Sequence, residues 1–139
     1  MRIDYVFSGS TFSGYGVYVS RSTGLLGRPR RKDPEIYEYP GESGHIPDLA
    51  TVVYEPRRIT LACFILAASA NEIISRYEAF TSFLYGQTEV CPLAMRIDGS
   101  TKLSFNCYVK ELSDISKRFR SGRNAGEFTI TFIEPKPYE

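Results

Sequence analysis

Apolar residues recur at every second position through most of this chain, the period of a half-buried β-strand. Ile3, Tyr5 and Phe7 alternate with Arg2 and Asp4, and Tyr15, Val17 and Val19 repeat the pattern after the loop SGSTFSG. Residues 36–39 form a short strand ended by Pro40-Gly41, and residues 49–54 and 57–67 two more, separated by Glu55-Pro56. Cys91, Leu93, Met95 and Ile97 share one face of the next strand. Asp98-Gly99 then supplies a hairpin turn, and Leu103, Phe105, Cys107 and Val109 answer it. Phe128, Ile130 and Phe132 alternate with Thr129 and Thr131 before EPKPYE, whose prolines cannot extend a ladder.

One segment has a different period. In SANEIISRYEAFTSFLYGQ, Ser69 and Glu72 stand in capping-box spacing. Ile73, Tyr77, Phe80 and Leu84 follow at helical intervals, and Gly86 is placed to stop the helix, predicting one amphipathic helix over about residues 70–85. The strand before it is apolar on both faces near its end, through Phe64 and Leu66 as well as Cys63 and Ile65. This suggests that the helix covers the second face. Residues 20–34, SRSTGLLGRPRRKDP, are expected to be one long exposed loop, and SDISKRFRSGRNAG (residues 113–126) a charged connection. Seven or eight strands and one helix predict a single α+β domain over residues 1–139, mostly β. Two antiparallel sheets would pack as a sandwich or a partly closed barrel, with the helix plugging one side.

Composition changes this picture little. Ten Tyr and nine Phe with no Trp suit a sheet protein, and a net charge of +1 gives no general attraction to nucleic acid or membrane. Neither a signal-peptide core nor a membrane span is present; the longest apolar run, ITLACFILAASA, is 12 residues. Cys63, Cys91 and Cys107 lack metal or redox spacing and read as reduced, buried thiols of a protein made in a reducing compartment.

Catalysis finds no foothold. His45 is the sole histidine, so any hydrolase using a Ser-His or Cys-His pair must recruit it, yet it sits in the Gly/Pro-rich stretch YPGESGHIPD. No phosphate-cradling glycine motif and no metal-ligand cluster occurs. Asp33, Glu35, Glu38 and Glu42 read as a solvated face. The expectation is that the chain has no catalytic, metal or cofactor site. The basic run GRPRRK, with Arg28, Arg30, Arg31 and Lys32, is the sharpest charge feature. Its plainest reading is a flexible, soluble loop flanked by prolines; as a functional surface it fits a partner better than nucleic acid, because the rest of the chain carries no matching excess.

The order of these elements resembles the N-terminal domain of phage distal tail proteins, which are related in fold to tail-tube proteins. DYVFSGSTFSGYGVYV is similar to their opening strand, glycine loop and second strand, and YPGESG to the Pro-Gly turn after a long loop. YEPRRITLACFILA, running into NEIISRYEAFTSFLYG, is similar to their strand-helix unit, and GEFTITFIEPKPY to their closing strand. The resemblance implies a structural subunit of a phage or prophage tail. Made in the host bacterial cytoplasm and carried in the virion tail, it would form a homo-hexameric ring at the distal tail or baseplate hub. That ring would continue a channel through which DNA passes without specific binding. On that reading, Pro40, Gly41 and Gly44 form a structural turn returning the long loop to the sheet. Arg28, Arg30, Arg31, Lys32, Lys117, Arg118, Arg120 and Arg123 become candidate contacts to sister subunits or to other tail and baseplate proteins. A tail-tube or other ring-forming role, and a β-barrel module binding a small ligand in its sheet-helix cleft, remain the alternatives.

Overall fold

The computed structural model describes residues 3–32, 36–47, 49, 53–120 and 123–137, with side chains described at all of these except 117–120 and 123–124. Ten strands and one helix follow in chain order: β1 (Ile3–Phe7), β2 (Ser10–Thr11), β3 (Val17–Thr23), β4 (Ile36–Tyr37), β5 (Ile46–Pro47), β6 (Arg57–Ala67), α1 (Ala70–Tyr85), β7 (Cys91–Ile97), β8 (Ser100–Leu112), β9 (Ser116–Arg120) and β10 (Arg123–Glu134). A single 3-10 turn, Ser13–Tyr15, precedes β3.

Eight strands make one antiparallel sheet in the order β2-β1-β7-β8-β10-β6-β3, with β9 also on β10. Its bend lies in β8. Cys107 of β8 still faces Cys91 on β7, while Tyr108 already faces Ile133 on β10. A register irregularity between Thr131 and Phe132 marks the same place, as bulges do where strands turn between layers. The two halves thus fold face to face as two packed antiparallel layers, and the rings of Phe7 (β1) and Phe132 (β10) meet across the core at 5.2 Å. The end strands β2 and β3 do not pair with each other, so the sheet does not close into a barrel.

The hairpin signal acts as expected. Asp98 and Gly99 both take positive φ (50° and 83°) and join β7 to β8 in two residues. The helix also starts where its cap predicts: Ser69 is extended, and its Oγ accepts a hydrogen bond from the Glu72 amide at 3.3 Å. Ile73, Phe80 and Leu84 form its buried stripe.

That stripe does not cover the face expected of it. It packs with Ile59, Leu61, Cys63 and Ile65, the core face of β6, whereas Leu66 is 50% exposed. Phe64, on the opposite face, meets the ring of Tyr18 at 5.7 Å, and Tyr18 is itself 47% exposed. Apolar residues on both faces of β6 therefore reflect a core on one side and an open apolar strip on the other.

Two further expectations change, and a third is only partly described. The loop placed at 20–34 begins later, because β3 continues to Thr23 over a register shift between Val19 and Arg21, and the Ser20 Oγ donates to the Ala62 carbonyl at 3.1 Å. Nor is that loop exposed throughout, since Leu25 and Pro29 are buried. The charged connection at 113–126 is a hairpin in which β9 pairs with the start of β10, from Ser116↔Glu127 to Arg120↔Arg123. Its run of charged residues carries no apolar alternation, so the sequence pattern does not mark it as a strand. The strand expected at 49–54 falls partly on residues 50–52, outside the described residues; Tyr54 makes an isolated antiparallel bridge to Arg31.

A buried ion pair ties the far end of the sheet. Arg57 and Glu134 stand directly opposite across β6 and β10, with 3.5 Å between Nε and Oε1 and side chains 7% and 10% exposed. The Arg57 guanidinium lies 4.7 Å over the Phe105 ring and donates to the Leu25 carbonyl at 3.4 Å. Burial raises the Glu134 pKa above its ordinary value, against the pull of Arg57.

Candidate assembly surface

The most unusual feature for a chain of this size is an arm that contributes almost nothing to the core. Between β3 and β6 the described backbone makes two antiparallel pairings, 30–32 with 53–55 and 36–37 with 46–47. At its base Leu25 is buried, and the Arg57 guanidinium holds the Leu25 carbonyl. The stem follows: the Glu55 amide donates to the Arg30 carbonyl at 2.7 Å, the Lys32 amide donates to the Val53 carbonyl at 2.8 Å, and Arg31 bridges to Tyr54. At the tip, β4 and β5 form a two-stranded sheet apart from the main one, with Ile36 opposite Pro47 and Tyr37 opposite Ile46.

The turn between β4 and β5 holds the Pro-Gly segment. Gly41 and Gly44 take φ of 86° and 80°, the left-handed region in which a Cβ is penalised. A Cβ at either position would meet nothing within 4 Å, so backbone conformation rather than crowding calls for glycine there. Pro40, Gly41 and Gly44 lie between β4 and β5, strands that pair with each other and not with the main sheet. His45 is exposed in this same turn.

The tip is apolar and uncovered. Ile36, Tyr37, Tyr39 and Ile46 are between 44% and 55% exposed, and Leu49 and Val53 lie in the same range. An isolated two-stranded hairpin is marginal in water, and clustered exposed aromatic and aliphatic side chains mark interaction surfaces. Arg28, Arg30, Arg31 and Lys32 are exposed along the stem just below. These four cations thus fall together in sequence within the β3–β6 connection, N-terminal to β4. Of the second basic group, the backbones of Lys117, Arg118, Arg120 and Arg123 lie in the β9–β10 hairpin, far along the chain from the arm, and their side chains fall outside the described ones. Asp33 and Glu35 lie outside the described residues, while Glu38 and Glu42 are exposed.

Sequence reading treated 20–34 as the feature of interest and missed that its return limb, residues 46–55, belongs to the same arm. Ile36, Tyr37 and Ile46 carried a signal: they are apolar in a stretch otherwise full of turn formers.

Free sheet edges accompany the arm. Among the described residues β3 pairs only with β6, β2 only with β1, and β9 only with β10. The concave surfaces are open clefts. One of about 540 Å³ lies beside the end of α1, lined by Leu84, Tyr85, Gln87, Glu89, Val90 and Tyr108, with Tyr85 and Val90 about half exposed. Among the described residues no group of three His, Cys, Asp or Glu is placed to hold a metal ion. Burial pushes the thiols of Cys63 and Cys107 up to about 12, which keeps both protonated and poor nucleophiles. No helix among the described residues is long and apolar enough to cross a membrane.

Neither a family model nor a curated protein sequence matches the chain. Among solved structures, it is similar to the crystal structure of the Dit (gp 19.1) protein of phage SPP1, described as a paradigm of the hub adsorption apparatus in phages infecting Gram-positive bacteria. The TM-score is 0.67 at 12% identity over 96% of this chain, which spans about half (49%) of the length of that protein. At that identity the likeness is one of fold.

Proposed function

We propose that this chain is a structural subunit of a phage or prophage tail. Its copies close into a ring at the distal tail or baseplate hub, and the ring continues the tail channel. The observation that carries this reading is the fold shared with a phage hub protein over nearly the whole chain. The arm and the free edges fit it physically: an asymmetric domain whose projecting element binds the next copy makes a head-to-tail contact, which closes into a ring when the rotation between copies divides a full turn. Six copies is the number proposed. The apolar tip of β4 and β5 is buried against a neighbour. Arg28, Arg30, Arg31 and Lys32, with the β9–β10 hairpin bearing Lys117, Arg118, Arg120 and Arg123, face sister subunits or other tail proteins.

The channel wall needs the opposite chemistry. A phosphate-gripping side chain on the wall would repeat in every copy, and the summed contacts would hold DNA in a salt-dependent grip. The basic stem therefore points away from the channel, DNA passes without specific binding, and the protein resides in the virion tail after synthesis in the host cytoplasm. A ring structure with Arg28, Arg30 and Arg31 lining the pore would contradict that placement.

Sedimentation velocity across a concentration series tests the arm directly. Wild type should shift to a larger species as concentration rises, and Ile46→Asp should remain monomeric with its thermal transition intact, because Ile46 is 51% exposed and contributes little to the core. Assembly of Ile46→Asp equal to wild type would remove the arm from the interface. Wild-type copies stacking into open tubes would point to a tail-tube role instead.

A further inference from the structure

Two of the three cysteines meet in a way their spacing conceals. Cys91 opens β7 and Cys107 lies in β8, and the antiparallel register sets them directly opposite one another. Directly opposed residues of an antiparallel pair point to the same face, with Cα atoms about 4.5 or 5.5 Å apart depending on the hydrogen-bonding position. Both separations fall within the roughly 4.4–6.8 Å that a disulfide spans. The neighbouring pairs, Pro92↔Asn106 and Leu93↔Phe105, keep an unbroken register, so no bulge offsets the two cysteines.

Their surroundings differ in a useful way. Cys107 is fully buried, whereas Cys91 is half-buried at the open end of the hairpin. The Cys91 thiol lies 3.4 Å from the Glu89 carbonyl and 3.7 Å from the Gln87 Oε1. Gln87 and Glu89 also line the open cleft at the end of α1, so the half-buried Cys91 thiol lies beside that cleft. Cys63 stands on β6, buried among Leu61, Ile65 and Phe128, opposite Val19 and Phe128 rather than another cysteine. Among the three thiols, only one pair is set for closure.

We propose that Cys91 and Cys107 form a cross-strand disulfide site, reduced when the chain folds and closed by a small disulfide oxidant of the oxidised-glutathione class. The Cys91 thiolate attacks one sulfur of the oxidant, forming a mixed disulfide and expelling one glutathione thiolate. Cys107 then gives up its proton and attacks the Cys91 sulfur, expelling the second. Two protein thiols are oxidised, one external disulfide is reduced to two thiols, and the S–S bond staples β7 to β8 next to the bend of the sheet. The high pKa of the buried Cys107 makes the second step the slow one. The site stands on strand register alone and is independent of the assembly proposed above.

The test is to incubate the folded chain with oxidised glutathione, alkylate under denaturing conditions, and map the peptides by mass spectrometry. The expected product has lost two hydrogen atoms, contains a linked Cys91–Cys107 peptide pair and retains an alkylated Cys63. Its melting temperature should rise by roughly 5–10 °C, since a loop of about fifteen residues is closed, and dithiothreitol should reverse the rise. Cys91→Ser, altering the half-buried partner, should abolish both changes. Alkylation of both Cys91 and Cys107 after prolonged oxidation, or arrest at a Cys91–glutathione adduct, would overturn the proposal.

Discussion

Gly126 lies against the Ile73 side chain of helix α1 and offers a sharp stability test of the packing described. It lies on β10 opposite Ile65. A Cβ built there would stand 2.5 Å from the Ile115 Cδ1 and 2.9 Å from the Ile73 Cγ2. Two effects oppose each other in Gly126→Ala. Replacing glycine in a strand interior gains about 0.5–1 kcal/mol through the lost freedom of the unfolded chain. Overpacking a filled site costs about 1–3 kcal/mol. Ile115 lies on a connecting segment and its terminal methyl can rotate away. Ile73, by contrast, is fully buried in the helix stripe, so relieving that contact moves the helix. The overpacking cost wins, and the net destabilisation is about 1–2 kcal/mol, a fall of several degrees in melting temperature for a chain of this size. Urea denaturation should show a lower midpoint with an unchanged slope. In the background of Ile115→Ala, which removes the nearer methyl group, the same substitution should cost at least about 0.5 kcal/mol less. A raised midpoint for Gly126→Ala, or strict additivity in the cycle, would refute this account of helix seating.

Arg57→Ala should destabilise the fold by about 3–5 kcal/mol, because it strands Glu134 in a buried site and removes the cover from Phe105. The sign of its pH dependence follows from burial. Glu134 already has a raised pKa, and losing Arg57 raises it further, so the variant should be most stable below the ordinary carboxylate range and weaken as pH rises through the raised value; chemical denaturation at several pH values reads this out. The thiols of Cys63 and Cys107, pushed up to about 12, favour the folded state fully below the thiol range of an unfolded chain and lose that contribution progressively above about pH 9. Under reducing, native conditions near pH 8 both should react with a maleimide only as fast as the protein opens, while Cys91 reacts first; equal rates for all three would show that Cys63 and Cys107 are not buried.

Local signals survived into the structure where the chain itself supplies the hydrogen bonds. Ser69 caps the helix through an amide three residues away, and Asp98-Gly99 turns the hairpin through its own positive φ, so neither depends on distant residues. Failures came where tertiary context decides. Phe64 and Leu66 looked like a second buried face, but only the placement of α1 shows that they are left open. The β9–β10 hairpin was hidden because its charged sequence lacks the alternating apolar pattern, and the pairing shows only in the backbone register. The arm was read as separate pieces, a loop at 20–34 and short strands at 36–39 and 49–54, because its pairings, 30–32 with 53–55 and 36–37 with 46–47, join residues distant in sequence. The facing of Cys91 and Cys107 depends on a hairpin register shifted near Met95, which spacing alone does not reveal.

The ring itself is the claim on which the functional reading rests. Negative-stain class averages of the purified chain at high concentration, and of the chain co-expressed with phage tail-tube and hub proteins, address it most directly. The account predicts closed rings of six copies around an open channel, with the arm of each copy laid on the next. A chain that stays monomeric at every concentration and in the presence of those partners would contradict it.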